Sequence, residues 1–234
     1  MAGRDHWRGK QCLKGFYIWL SRFGGAHRQP RSFSAIITSL IGIKLRGVTK
    51  IATTRLMPLH VGKGRNISTA ISDIIDYVEN PQKTDFGKFI YGYECDTRLA
   101  DAEFLLSKRQ YANLTGRNQG SDDVIAYHLR QAFKPGEVTP EEANQIGREL
   151  ALKLTKGNHA FVVCTHVDKH HVHNHIIINS TTLDCQKKFR NFWGSTWAIR
   201  RMNDKLCLEH GLSIVENPKP SREHYGTWLG NKKQ

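Results

Sequence analysis

From residue 51 onward, apolar and polar positions follow two periods, and each change of period marks a new element. Ile51–Met57 reads as a strand, and the basic loop Gly62-Lys63-Gly64-Arg65 follows it. Ile67, Ile71, Ile74, Ile75 and Val78 recur at helical spacing and predict a helix over 67–79, capped by Ser68 or Thr69 and stopped by Pro81. Phe89–Cys95 alternates like a strand. A second helix is predicted from Leu99 to Leu114, with Ala102, Leu105, Leu106 and Ala112 on its apolar side. After the polar loop Thr115–Asp123, the segment Val124–Phe133 reads as a strand with a polar face of His128 and Arg130. Thr139-Pro140-Glu141-Glu142 has the signature of a helix start, with Thr as cap, Pro at the first helical position and Glu at the third. That helix runs to about Lys156 and ends at Gly157-Asn158. A strand pair follows at 161–179. A short strand is expected at Lys187–Phe192, and a last helix from Ser195 to Gly211. The order β-α-β-α-β-α-β-β-α indicates an α+β fold, an antiparallel-rich central sheet with helices packed on one side of it.

The strand pair carries the densest chemistry. Five of the chain's 12 histidines fall between His166 and His175. Apolar runs bound them, Phe161-Val162-Val163 before and Ile176-Ile177-Ile178 after, with a polar turn at Asp168, Lys169 and His170. Alternate residues of a strand share a face, so His171, His173 and His175 group together, as do Val162, Cys164 and His166. Antiparallel pairing then brings His166 to His173 and His175. Three neutral imidazoles at one point suit a divalent metal that keeps positions open for substrate or water. Asp168 is placed to accept a ring N–H and fix a ligand's tautomer. The bland alternative is a solvated hairpin decorated with histidines.

Charge changes the picture less than its total suggests. The net charge of +14 points toward nucleic acid or another anionic surface. Residues 1–50 hold 10 Lys/Arg against one Asp, leaving only +5 for the rest of the chain. That first segment shows no clear period and no convincing signal peptide; it reads as a basic extension, disordered or loosely attached, or as the product of a start codon chosen too early. A basic arm contacting DNA phosphates is the competing reading. Residues 51–216 form the ordered domain, and 217–234 a basic tail. The five scattered cysteines, with no Cys-x-x-Cys, argue against a disulfide framework or zinc ribbon and fit a reducing cytoplasm. No apolar run reaches the ~18 residues of a membrane span.

The motif His166-Val-Asp168-Lys-His-His171-Val-His173-Asn-His175-Ile-Ile-Ile-Asn179 resembles the relaxases, or mobilization nucleases, of plasmids and integrative elements, within the HUH endonuclease superfamily. The resemblance extends to Tyr77-Val-Glu-Asn-Pro81-Gln-Lys83-Thr84 and to Phe133-Lys-Pro-Gly-Glu-Val-Thr-Pro-Glu-Glu142, and covers most of residues 51–234. One departure is Asn174, at the central position usually held by a hydrophobe. The resemblance implies a palm-like antiparallel sheet holding Mg2+ or Mn2+ through His166, His173 and His175, and a tyrosine that attacks a DNA phosphate to give a 5′-phosphotyrosyl link and a free 3′-OH. Such proteins continue well beyond this length, which implies a truncated or split chain.

Among seven tyrosines, Tyr77 matches the family's first motif. It lies near the end of the first helix, beside rather than within the apolar stripe, ahead of the loop carrying Lys83. Its competing role is a ring packed at a helix end. Asp168 is expected to support catalysis, and His171 and Asn179 to stand behind the ligands or contact DNA. Arg55, Lys63, Arg65, Lys83, Arg117 and Arg130 are candidates to line a single-strand groove. The implied partner is single-stranded DNA at an origin of transfer, with accessory mobilization proteins and a coupling protein. Rival readings are a rolling-circle replication initiator, a catalytically idle origin-binding fragment, and a hydrolase of small phosphoesters.

Overall fold

The computed structural model describes residues 52–62, 64–117 and 120–216. Lys63 and the two terminal segments, 1–50 and 217–234, lie outside the described residues. Five strands are described, β1 (Thr53–His60), β2 (Ile90–Tyr93), β3 (Val124–Ala132), β4 (Phe161–His166) and β5 (His173–Asn179), and four helices, α1 (Ile67–Glu79), α2 (Ala100–Thr115), α3 (Pro140–Thr155) and α4 (Ser195–Glu209). The strands form one sheet in the order β1-β3-β5-β4-β2, with every neighbouring pair antiparallel. The fold is α+β, as the element order implies.

The helices do not sit on one side of the sheet. α3 and α4 pack against one face, where Ala143, Ile146, Leu150, Ile199 and Leu206 meet Leu129, Phe161, Val163, Ile176 and Ile178. α1 and α2 cover the other, where Ile71, Ile75, Val78, Ala100 and Phe104 meet Ile125, Val162, Cys164 and Ile177. The physical reason is that β4 and β5 are buried at every position. A strand whose alternate residues are all apolar needs cover on both faces. The unbroken runs Phe161-Val162-Val163 and Ile176-Ile177-Ile178 already carry that demand.

Local chemistry sets the helix positions. Asn66, rather than Ser68 or Thr69, caps α1: its Oδ1 accepts the backbone N–H of Thr69 at 2.8 Å. α3 begins with the expected capping box, in which Thr139 Oγ1 accepts from the Glu142 N–H and Glu142 Oε2 accepts from the Thr139 N–H. Lys156 and Gly157, both at positive φ, then turn the chain out of α3. Pro58 is accommodated because β1 is an edge strand. Two expected features differ. Residues 187–192 form no strand, only an isolated bridge between Thr181 and Lys188. The link between β4 and β5 runs through residues 167–172, so His171 precedes β5 rather than lying within it.

Candidate metal centre

The register of β4 and β5 builds the centre directly. His166 pairs with His173 and Cys164 with His175, so all four project from the face covered by α1 and α2. One ring nitrogen from each of His166, His173 and His175 lies within 4.8 Å of the others. Among the described residues this is the one His/Cys/Asp/Glu group with metal-ligand spacing. All three rings are buried.

Each ring commits one nitrogen to the protein and keeps the other. His166 Nε2 contacts the Val78 carbonyl at 2.8 Å, and His173 Nδ1 contacts the His171 carbonyl at 3.3 Å. A carbonyl only accepts, so these nitrogens carry the protons, leaving His166 Nδ1 and His173 Nε2 with lone pairs. His175 Nδ1 lies 2.7 Å from Nε2 of His128 on β3. Burial holds the imidazoles neutral: it lowers the pKa of His166, and takes those of His173 and His128 to about 4 and that of His175 to about 2. Neutral imidazoles, each with one ring nitrogen left uncommitted, are the donor set a divalent cation needs, so the residues fit a metal. The thiols do not compete: burial pushes Cys95 up to about 12 and raises Cys164 well above its ordinary value.

Tyr77 lies on the last turn of α1, and its ring is edge-on to His175 at 5.6 Å and to His166 at 6.3 Å between centroids. It is 48% exposed, so the phenol borders both the centre and solvent. Lys83 Nζ stands over its ring at 4.5 Å, on a loop tied to the end of β4 by the bond from Val167 N–H to the Lys83 carbonyl. Arg130 and Arg55 are cross-strand partners of each other, and Arg130 is also paired with His175. One row of the sheet thus runs Arg55, Arg130, His175, Cys164, with both arginines exposed. Arg130 depresses the pKa values of His128, His166 and His175 through its charge, as Lys83 does for His166.

Several candidates stand elsewhere. Asp168 is exposed on the 167–172 link; its charge favours protonation of His166 and His173, but the Val78 and His171 carbonyls orient those rings. His171 contributes that carbonyl, with its own ring 5.2 Å from His173. Asn179 is not at the centre. It lies four residues beyond His175 along β5, buried, where its Oδ1 accepts from Lys108 Nζ at 2.7 Å and its Nδ2 donates to Ser107 Oγ. Arg65 is bound to Asp73 at 2.6 Å at the opposite end of α1 from Tyr77. Arg117 follows the C-terminus of α2. His128 belongs to the polar face expected for the strand Val124–Phe133, with no site role attached to it there. A buried polar residue in the otherwise apolar Val124–Leu129 run was the available signal.

The MobA/VirD2-like relaxase nuclease-domain profile matches residues 77–212, more than half of the chain, from Tyr77 through the histidine strands to the end of α4. The chain belongs to that family. Its relatives include protein Rlx of Staphylococcus aureus, 42% identical over 125 residues, covering 53% of this chain and 37% of Rlx. The group II intron-interrupted relaxase LtrB of Lactococcus lactis is 31% identical over 192 residues, covering 68% of this chain and 34% of LtrB. The chain therefore spans about a third of the length of these curated relatives. A solved chain from a structure described as the molecular basis of vancomycin resistance transfer in Staphylococcus aureus superposes with a TM-score of 0.48 at 12% identity, over 74% of this chain and all of that chain. Among the described residues, no helix of the relaxase domain is long and apolar enough to cross a membrane.

Proposed function

We propose that this relaxase domain nicks and rejoins one DNA strand at an origin of transfer, with Tyr77 as nucleophile and His166, His173 and His175 as metal ligands. The observation that carries the reading is the Tyr77 ring edge-on to two of the three clustered imidazoles while still reaching solvent. Oη of Tyr77 attacks the scissile phosphorus, and the bond from phosphorus to the 3′ oxygen breaks. The phenolic proton passes to solvent, the 3′ oxygen takes up a proton, and the 5′ side stays joined to the tyrosine. Rejoining is the reverse. When bound, a divalent ion supplies electrostatic stabilisation to the non-bridging oxygens, which gather charge as the phosphorus is attacked. Mn2+ suits imidazole donors better than Mg2+ does.

The rest of the arrangement supports the same reading. Three neutral ligands leave the ion its full charge. Arg130, Arg55 and Lys83 border the centre with positive charge, suited to the phosphates of a single strand approaching across β3 and β1. Lys83 over the phenol ring adds positive charge beside the attacking group, where a phosphate would approach it.

The test uses Mn2+ and labelled single-stranded oligonucleotides carrying an origin of transfer. A protein–DNA adduct that survives denaturation is expected from the wild type and absent from Tyr77→Phe. Persistence of the adduct in that variant removes Tyr77 from the role. Origin binding with no adduct in any form points instead to a binding-only fragment.

A further inference from the structure

We infer that His128 is a positioning residue for the metal-binding form of the centre: its Nε2 accepts the Nδ1–H of His175 and thereby turns the His175 Nε2 lone pair toward His166 and His173. This rests on the proposed reading of the triad as a metal site. The contact is short, 2.7 Å, and both rings are buried. Their centroids lie 4.9 Å apart. β3 supplies His128 from the position paired with Ile177, so the ring lies one step diagonally along the sheet from His175 on the same face.

The three ligands differ in what orients them. His166 and His173 face backbone carbonyls, which cannot donate, so their tautomers are fixed whatever the side chains around them. His175 faces another imidazole, which can donate or accept. If His128 Nε2 carried the proton, His175 Nδ1 would accept it. The remaining proton of His175 would then sit on Nε2, aimed at the cluster and repelling a cation. If His175 donates, its Nε2 is a ligand and His128 keeps its proton on Nδ1. Only the second arrangement completes the triad. A carboxylate in this place would add negative charge beside the ion, whereas an imidazole acceptor sets the tautomer and adds none.

Two measurements test this. Long-range proton–nitrogen NMR on the histidine-labelled, metal-free protein reads which nitrogen of His175 carries the proton; Nδ1 is expected, and a proton on Nε2 overturns the inference. Calorimetric titration with Mn2+ alone then compares wild type, His128→Leu, His128→Gln and His173→Ala. His128→Leu is expected to bind roughly 10–100-fold more weakly. His128→Gln should return to within a few-fold of wild type, because its Oε1 restores an acceptor where Nε2 stood. A merely structural role would lower the thermal midpoint of the metal-free protein in both variants and leave Mn2+ affinity alone; that result also overturns the inference. Should His128→Leu fail to fold, the NMR result and the Gln variant decide. Folded wild type that binds no Mn2+ defeats the metal reading itself, whereas binding lost in His173→Ala but kept in His128→Leu defeats only the role of His128.

Discussion

His166 follows Thr165 in β4, and Asn174 follows His173 in β5, yet alternation sends the histidines to one face of the sheet and Thr165 and Asn174 to the other. On the second face the polar groups form a hydrogen-bonded relay in which every acceptor oxygen is used. Asn144 Nδ2 donates to Thr165 Oγ1, which donates to Asn174 Oδ1; Asn174 Nδ2 donates to Gln131 Oε1 and to the Ala143 carbonyl, and Gln131 Nε2 donates to Asn203 Oδ1. These side chains are buried, and the relay ties α3, β4, β5, β3 and α4 together. On the first face each imidazole keeps one nitrogen without a protein partner. The difference between a centre and a structural network here is therefore not polarity or burial, since both have them. It is whether the lone pairs are spent.

The largest effect should come from the open face. His173→Ala removes a proposed ligand whose loss leaves no protein donor or acceptor stranded except the His171 carbonyl, near solvent. Mn2+ binding and adduct formation are expected to fall by at least ~1000-fold, with the urea midpoint of the metal-free protein nearly unchanged. A large drop in that midpoint would mean the imidazoles hold the fold rather than serve chemistry.

Asn174→Leu attacks the closed face. The side chains are similar in size, but the change strands Gln131 Oε1 and leaves the Thr165 hydroxyl without its acceptor; the Ala143 carbonyl keeps its partner within α3. At roughly 1–3 kcal/mol for each buried group left unmade, a loss of about 3 kcal/mol is expected in urea unfolding. Mn2+ affinity of the protein that remains folded should change far less than in His173→Ala. Equal losses of affinity in the two variants would erase the distinction between the faces.

Gly147→Ala presses on the same relay from α3. A Cβ at Gly147 would lie 2.5 Å from Asn174 Nδ2 and 3.0 Å from Val163 Cγ1. The amide is held on all sides by its hydrogen bonds and has no free volume to retreat into. Overpacking should cost about 1–3 kcal/mol, and in the Asn174→Leu background the penalty should change, because the two residues share one space.

The relay also explains what the sequence did and did not disclose. The histidine cluster was legible because strand alternation and one register suffice to assemble it: His166, His173 and His175 come from two adjacent strands joined by a short link. The place of Tyr77 beside the cluster was legible only with the help of the family's motif, since no periodicity says that the end of α1 comes close to β5. Asn174 looked like a departure because a hydrophobe was expected; its partners Gln131 and Ala143 are tens of residues away and on other elements, beyond any local pattern. The groups that orient the His166 and His173 rings are main-chain carbonyls, which every residue has, so nothing in the side-chain sequence marks Val78 or His171 for that task. The helices were placed on one side because element order alone does not count faces, although the unbroken apolar runs of β4 and β5 did.

Lys108 sharpens the comparison, since it stands on the imidazole face but is built like the relay. Its ammonium site is buried, with Nζ 2.7 Å from Asn179 Oδ1 and 3.2 Å from Ser180 Oγ, and burial, aided by the charge of Lys188, lowers its pKa to about 7. Asn179 therefore serves this lysine, which is why a residue only four positions from His175 is no part of the centre. In the unfolded chain the lysine returns to its ordinary value near 10.5. Between about pH 7 and 10.5 the unfolded state thus binds the proton that the folded state has released, so stability rises with pH across that window, by roughly 1.4 kcal/mol per unit at most. Urea midpoints measured at pH 7.5 and 9.5 should show the rise in wild type and a flatter response in Lys108→Met. The slope should survive intact in His173→Ala, because the imidazoles of the centre are already neutral throughout that range. A slope that vanished with His173 instead would join the two ends of β5 into one titrating unit and break the separation between open centre and closed network.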